Sequence, residues 1–557
     1  PAVFVLDTGR RPPIDFPAML PLRLWTNADL ITLDPDLPRA EALVTAGTTI
    51  LAVGGAVLAE GWRSRVDEVI DLRGRTVVPG LTDSHIHLIE HGQALREVAL
   101  ESCRSTAETI AAVQAFPHPA SGWIIGRGFQ TNHFDDGIMP HRAMLDEIFP
   151  GRPVVLSSRC GHQIWVNTAA MEAAGVTAAT PDPKGGVIVR DERGEPTGVL
   201  QEEAIELITR HIPKPSESQL REAVRVAAQD LWSHGVTAAH APEGRDHLGL
   251  VSRMRQDNAL PIRTHFLPPV SIAENLAAAA LCVGLGDHWL SLGGLKIFLD
   301  GALGSATALM HGDHCGRPGD RGVEVTPLDR FQEMVEHAHI NRWCVAVHAI
   351  GDLAVDRAID TIAASQRLWG ISRDNHGPWD RIEHFQCLSP GAAERAGDAR
   401  IAAMMQPIHL FDDWEPANRL WGDDRASRTY ACRSLLDAGV PVALGSDAPV
   451  ASANPWLCMH ATVTRTDLSG EPRGGWHMPE ALTAAECLEA YCCTPALVAD
   501  ELEWRGQLRP GTVADFAVLS ENPLAEGCDL RGVRSDMTIL DGAVVHDRHG
   551  EFREAEC

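Results

Sequence analysis

Six residues, spread over more than half of the chain, are of types that can bind divalent metal ions. His85 and His87 stand one residue apart in "DSHIHL", His348 stands in "AVHAIGD", His384 in "RIEHFQ" and Asp447 in "LGSDAP". Residues two apart on a strand point to the same side, so both imidazoles of His85 and His87 reach one ion. Imidazole and carboxylate ligands suit Zn²⁺ and its divalent neighbours Mn, Co and Fe. The sixth residue is Lys296, in "GLKIFLDG". A buried lysine is costly unless it is paired or chemically altered. Carbamylated Lys296 would present a carboxylate able to bridge two ions. The simpler reading pairs it with Asp300, which strand alternation places on the same side as Lys296 and Phe298.

Residues so far apart need a scaffold that gathers them. Each lies in or just after a candidate strand. In order these are "TVVPGLTDSHIHL", 235–244, 260–269, 292–301, 343–352, 380–386, 400–409 and 440–449, mostly with helical patterns between them. Eight strands alternating with helices predict an α/β fold, a (β/α)8 TIM-type barrel. The C-terminal strand ends of such a barrel converge on one face, where active sites lie. Residues 22 to 80 and the end of the chain have a short-strand texture, which predicts a small composite β-sandwich built from both chain ends. The expected division is residues 1–80, a barrel over 81–490 with an insertion at about 100–230 after the first strand, and 491–557. Pro79-Gly80 marks the entry into the barrel.

Composition narrows the function. The formal net charge of −27, with no basic cluster, argues against a nucleic-acid partner. The 13 cysteines form no C-x-x-C pair and read as reduced thiols of a cytoplasmic protein. The opening "PAVFVLDTGRRPPIDFPAML" lacks the basic start and apolar run of a secretory signal. No apolar stretch reaches the ~20 residues a membrane span needs.

The motifs and their order resemble the amidohydrolase superfamily of metal-dependent hydrolases. Within it they resemble the YtcJ-like branch (amidohydrolase family 3), which includes N-substituted formamide deformylase. The stretches that carry the likeness are "PGLTDSHIHL", "GHQIWVNTAAMEAAGV", "GGVIVRDERGEPTGVLQEEA", "FLDGALGSATALM", "HAIGDLAVDRAID", "RIEHFQCL", "MQPIH", "GVPVALGSDAPV" and "GQLRPGTVADFAVLSENPL". Together they cover about residues 22 to 545. Two positions depart from the branch. Ala306 stands where a basic residue is usual, and Ala448 follows the aspartate where the branch often has Trp.

The resemblance implies that His85, His87, His348, His384 and Asp447 hold one or two divalent ions, zinc first among them, bridged by Lys296 if it is carbamylated. It implies a catalytic role for Asp447, as general base, and for His384. The reaction expected is hydrolysis of a non-peptide C–N bond in a linear amide, formamide or carbamate-like small molecule. A deaminase or cyclic amide hydrolase of the same superfamily is the alternative, and a catalytically silent scaffold is the alternative from another class. His162, Asn167, Asp300, His409 and Trp414 are the expected substrate contacts. Glu383 is expected to face away from His384. A homodimer or higher homo-oligomer is expected.

Overall fold

The computed structural model describes residues 21–118, 122–131, 134–135, 137–158, 162–372 and 377–552. The N-terminal stretch read above as non-secretory lies outside them. No helix among the described residues is long and apolar enough to cross a membrane.

The gathering scaffold consists of two parallel sheets. One runs in the order Leu290–Leu292, Arg263–Leu267, Val236–Pro242, Leu81–Asp83. The other runs Leu295–Phe298, Val345–Ala349, Asp380–His384, Ile401–Met405, Val442–Leu444. The stretch expected as one fourth strand is thus broken in two at Gly293-Gly294. A Cβ on Gly293 would lie 2.4 Å from the His265 ring, and one on Gly294 3.0 Å from the Val345 backbone. The paired glycines let neighbouring chains approach where the sheets part.

Hydrogen bonds cross both seams between the sheets. At one, Lys296 N donates to Pro268 O (2.8 Å), and Pro269 and Lys296 form an isolated bridge. At the other, Ser84 N donates to Leu444 O (3.2 Å) and Asp447 N to His85 O (2.7 Å). The strands are rich in Val, Ile, Ala and Met and are almost wholly buried, as expected where both faces of a parallel sheet are covered.

A six-stranded sheet joins the two ends of the chain. Its order is Ala543–Asp547, Ser535–Leu540, Phe516–Leu519, Thr76–Pro79, Asp29–Ile31, Arg39–Ala40. Beside it lies a four-stranded sheet of Thr49–Gly54, Ala42–Ala46, Leu22–Thr26 and Glu68–Asp71. Trp25, Leu43, Ile50, Val77, Phe516 and Ile539 share one apolar core. Thr76–Pro79 pairs in the six-stranded sheet and Leu81–Asp83 in the parallel one. Gly80 is the crossing point. A Cβ there would lie 2.2 Å from Thr237 Oγ1, so only glycine fits the close approach.

Another six-stranded sheet fills the insertion, from Val98–Ala99 to Pro196–Glu202. The helix Glu217–Ser233, which the sequence reading gave mainly to the insertion, packs instead on Leu88–Ala94 and leads into the strand Val236–Pro242. A Ser216–Gln219 capping box starts it, and Ala223, Val224, Ala227, Ala228 and Leu231 form its buried stripe.

Candidate metal centre

The C-terminal strand ends bring four histidine rings together. The ring centroids of His85 and His87 are 5.8 Å apart, His85 and His384 5.1 Å, and His348 and His384 4.4 Å. Asp447 joins them from the turn after Val442–Leu444. Its Oδ1 lies 3.5 Å from His85 Nε2 and 3.3 Å from His87 Nε2. One ligand atom from each of His85, His87 and Asp447 fits within 4.8 Å of the others, a spacing that can hold an ion.

The outer nitrogens of the rings are tied down. His87 Nδ1 bonds Pro242 O (3.0 Å), which leaves Nε2 for a ligand. His348 Nε2 bonds Gly301 O (2.9 Å), which leaves Nδ1. His85 Nδ1 bonds a carboxylate oxygen of Glu383, which leaves Nε2. A fixed outer bond of this kind sets the tautomer and orientation of a ligating imidazole.

Two buried atoms in the cluster lack a hydrogen-bond partner, Asp447 Oδ1 and Lys296 Nζ. An unpaired buried polar atom is costly, and a cation between them and the imidazoles would meet the need of Oδ1. The donor set therefore fits a divalent ion held by His85, His87 and Asp447, with His348, His384 and Lys296 beside it.

The electrostatics agree. Burial, reinforced by Lys296, pushes His85 down to about 4 and His348 down to about 3. Burial and His348 hold His384 well below its usual value. These three rings are neutral at pH 7 and keep their lone pairs. Burial also lowers Lys296 to about 8. For Asp447 burial acts upward, but the adjoining His87, the largest opposing influence, helps to hold its pKa well below the usual value. For His87 burial acts downward and Asp447 outweighs it, so its pKa is raised.

Backbone strain marks the site. His384 has φ +69°, Phe385 +46° and Asp447 +57°, a region that non-glycine residues rarely occupy. The strand alternation ends at His384, so Glu383 does not face away as expected. Its fully buried carboxylate bonds His85 and the Arg381 guanidinium. Burial raises the Glu383 pKa, and Arg381 and His85 overcome that and hold it well below normal.

The expected substrate contacts divide. His409 ends the turn Pro407–His409, and its Nε2 is buried without a partner. Trp414 lies on the helix Leu410–Ala426, half-buried against the main core. His162 is exposed and bonds Glu202 (2.9 Å), and among the described residues no contact ties it to the cluster.

Two contacts need correction. Asp300 has no side-chain exposure and accepts from the backbone N–H of Leu309, Ile350 and Gly351. It sits 3.6 Å from His348 Nε2, the nitrogen that also bonds Gly301 O, and it is not the hydrogen-bond partner of Lys296. Burial raises it to about 7 against those three donors.

Asn167 is wholly buried and caps the helix Thr168–Ala174. Its oxygen accepts from Val154 N and Ala170 N, and its amide donates to Arg152 O and Phe149 O. No capacity remains for a substrate. Asn167→Ala is therefore expected to cost roughly 1–3 kcal/mol of stability, read by denaturant unfolding, with KM unchanged. A raised KM at parental stability would return Asn167 to the site.

Comparison with known proteins adds an independent line. The sequence profile of the amidohydrolase family (Amidohydro_3) matches residues 68–546. The chain is 31% identical over 536 residues to the putative amidohydrolase YtcJ of Bacillus subtilis (strain 168), covering 94% of this chain and 99% of that one. It is 27% identical over 554 residues to N-substituted formamide deformylase of Arthrobacter pascens, covering 94% and 98%. An uncharacterized metal-dependent hydrolase from Pyrococcus horikoshii OT3 superposes with a TM-score of 0.76 at 25% identity, covering 92% of this chain and 99% of that one. With matched motifs, matched architecture and a family profile spanning most of its length, the chain belongs to the amidohydrolase family.

Proposed function

We propose that the chain hydrolyses a non-peptide C–N bond of a linear amide, formamide or carbamate-like small molecule. The observation that carries this is the unpartnered Asp447 Oδ1 facing His85 and His87 at the strand ends. The formamide deformylase among the relatives supports the choice of bond. The two parallel sheets, hydrogen-bonded across both seams, are read as one closed (β/α)8 barrel, and the sheets from the chain ends as a sandwich beside it.

A divalent ion at this site, zinc by preference, supplies a Lewis acid and lowers the pKa of a water toward ~7. His85, His87, His348, His384 and Asp447 hold and orient the ion. Asp447, ionised and on the inner face of the cluster, takes the proton of the attacking water and returns it to the departing amine nitrogen. In this reading His384 lines the reacting space beside it, and His409, whose Nε2 has no hydrogen-bond partner, serves as donor to the substrate oxygen. Lys296, lowered to about 8, is partly uncharged at neutral pH. Its amine could then add to CO₂ with loss of a proton, and the carbamate would supply Lys296 as a further ligand. We take the working protein to be a homo-oligomer of the cytoplasm.

The test is reconstitution. Purified protein is expected to carry at least about half an equivalent of metal by elemental analysis. Chelation is expected to abolish amine release from a panel of N-substituted formamides, acyl amides and carbamates, and Zn²⁺, Mn²⁺ or Co²⁺ to restore it. Because His87 is raised, a proton competes with the ion below that pKa, so metal affinity should rise with pH through and above pH 6.5. Metal-poor protein that no ion activates would make the chain a scaffold.

A further inference from the structure

Asp413 has no part in the scheme above, yet it is placed as a hinge-pin for two groups that do. It lies in the first turn of the helix Leu410–Ala426, directly after His409 and the turn Pro407–His409. Acidic residues are common in a helix's first turn, but they are normally solvated. Asp413 Oδ2 instead accepts from the Tyr430 hydroxyl (2.6 Å) and from Gln386 Nε2 (2.9 Å).

Both donors are rigid and buried. Gln386 is 2% exposed and lies two residues beyond His384, across the strained Phe385. Tyr430 is 1% exposed, with φ +52°. Its backbone N donates to Gln386 O (2.8 Å), and its carbonyl accepts from the buried Arg465 (3.0 Å). Asp413 thus joins the turn behind His384 to the helix that begins at His409.

Charge makes the same link. Burial drives Asp413 upward, and the largest opposing influence is His409; Tyr430 and Gln386 are neutral donors and Asp412 is repulsive. His409 also helps to hold Asp447 low. The His409 Nε2 itself is buried and unpartnered.

We propose that Asp413 is a positioning residue for the reaction proposed above. Through Gln386 it pins the turn that carries His384, and through the first turn of its own helix it fixes the chain at His409, the proposed donor to the substrate oxygen. The proposal rests on that reading of the site.

The test uses the full chain reconstituted with Zn²⁺, with Asp413→Asn, His409→Gln and the double variant. Asp413→Asn is expected to lower kcat about 10-fold to 100-fold, with KM within about twofold and metal content unchanged. In the His409→Gln background it is expected to add clearly less than its full loss, because only the Gln386 arm remains to be removed. Tyr430→Phe removes one donor to Asp413 and is expected to act in the same direction with a smaller change, which serves if Asp413→Asn does not fold. Parental kcat in Asp413→Asn, or losses that multiply in the double variant, would overturn the proposal.

A second readout does not depend on turnover. In ¹⁵N-histidine-labelled protein, His409 is the signal missing from His409→Gln. Asp413→Asn, or Tyr430→Phe in its place, is expected to shift and broaden that signal, and an unchanged signal would overturn the positioning role. If the parent releases no amine from any substrate, the proposed function falls, while the His409 signal still decides the role of Asp413.

Discussion

Asp447→Asn is expected to lower amine release about 10²–10⁴-fold while the protein keeps most of its bound ion. Asn preserves the size of the side chain and one oxygen, so the approach to His85 and His87 survives. What it loses is the ability to accept a proton. Asp447 is held well below its usual pKa, with His87 the largest influence, although it is buried, so at neutral pH the parent has its base ready. Its backbone is fixed as well, since Asp447 N donates to His85 O at 2.7 Å. The measurement pairs steady-state kinetics with elemental analysis of the same preparation. Near-parental turnover would remove Asp447 as the base. Loss of the ion together with activity would make it chiefly a ligand.

Glu383→Gln is expected to reduce metal affinity roughly 10-fold to 100-fold and to destabilise the fold by roughly 3–5 kcal/mol. One Glu383 oxygen bonds His85 Nδ1, and both engage the Arg381 guanidinium. Gln offers one oxygen and one NH₂ group, so one of these donors must face another donor. If Arg381 keeps the oxygen, the NH₂ favours the wrong His85 tautomer and takes the lone pair away from the ion. If His85 keeps it, Arg381 remains buried and uncompensated. Its contacts to Ser84 O and His240 do not replace a charge. Chelator competition and denaturant unfolding read the two effects separately. Parental metal affinity would show that the His85–Glu383 bond does not tune the ligand.

Much of this was legible in the sequence because both layers of the pattern are local. Apolar strand runs have a period and a length, and His85, His87, His348, His384 and Asp447 stand at their C-terminal ends. Glu383 was misread because alternation presumes extended backbone through His384, and a φ of +69° leaves no mark in a one-letter code. The broken fourth strand did leave a mark, the Gly293-Gly294 pair. Asn167 also carried its answer, since Asn before a helical run is an N-cap pattern. Asp300 and Asp413 had no local signal. Their partners, backbone amides around Leu309 and Ile350 for one and Gln386 and Tyr430 for the other, are brought near only by the tertiary fold.

The crossing at Gly80 sets an order of events. Thr76–Pro79, which hands the chain to the first ligands, pairs edge to edge with Phe516–Leu519, so Val77 opposes Val518 and Pro79 opposes Phe516. At translation rates of roughly 5–20 residues per second, that apolar edge emerges on the order of tens of seconds before its partner exists. Closing so long a loop adds little to the equilibrium cost, because loop entropy grows only with the logarithm of length. The penalty is one of time: an unpaired strand edge is a template for association with other chains. His85 and His87 follow a few residues later, so the anchoring of their segment to the six-stranded sheet waits for Phe516–Leu519. A chain stopped short of Phe516 would carry every ligand and still lack the strand that anchors the first two.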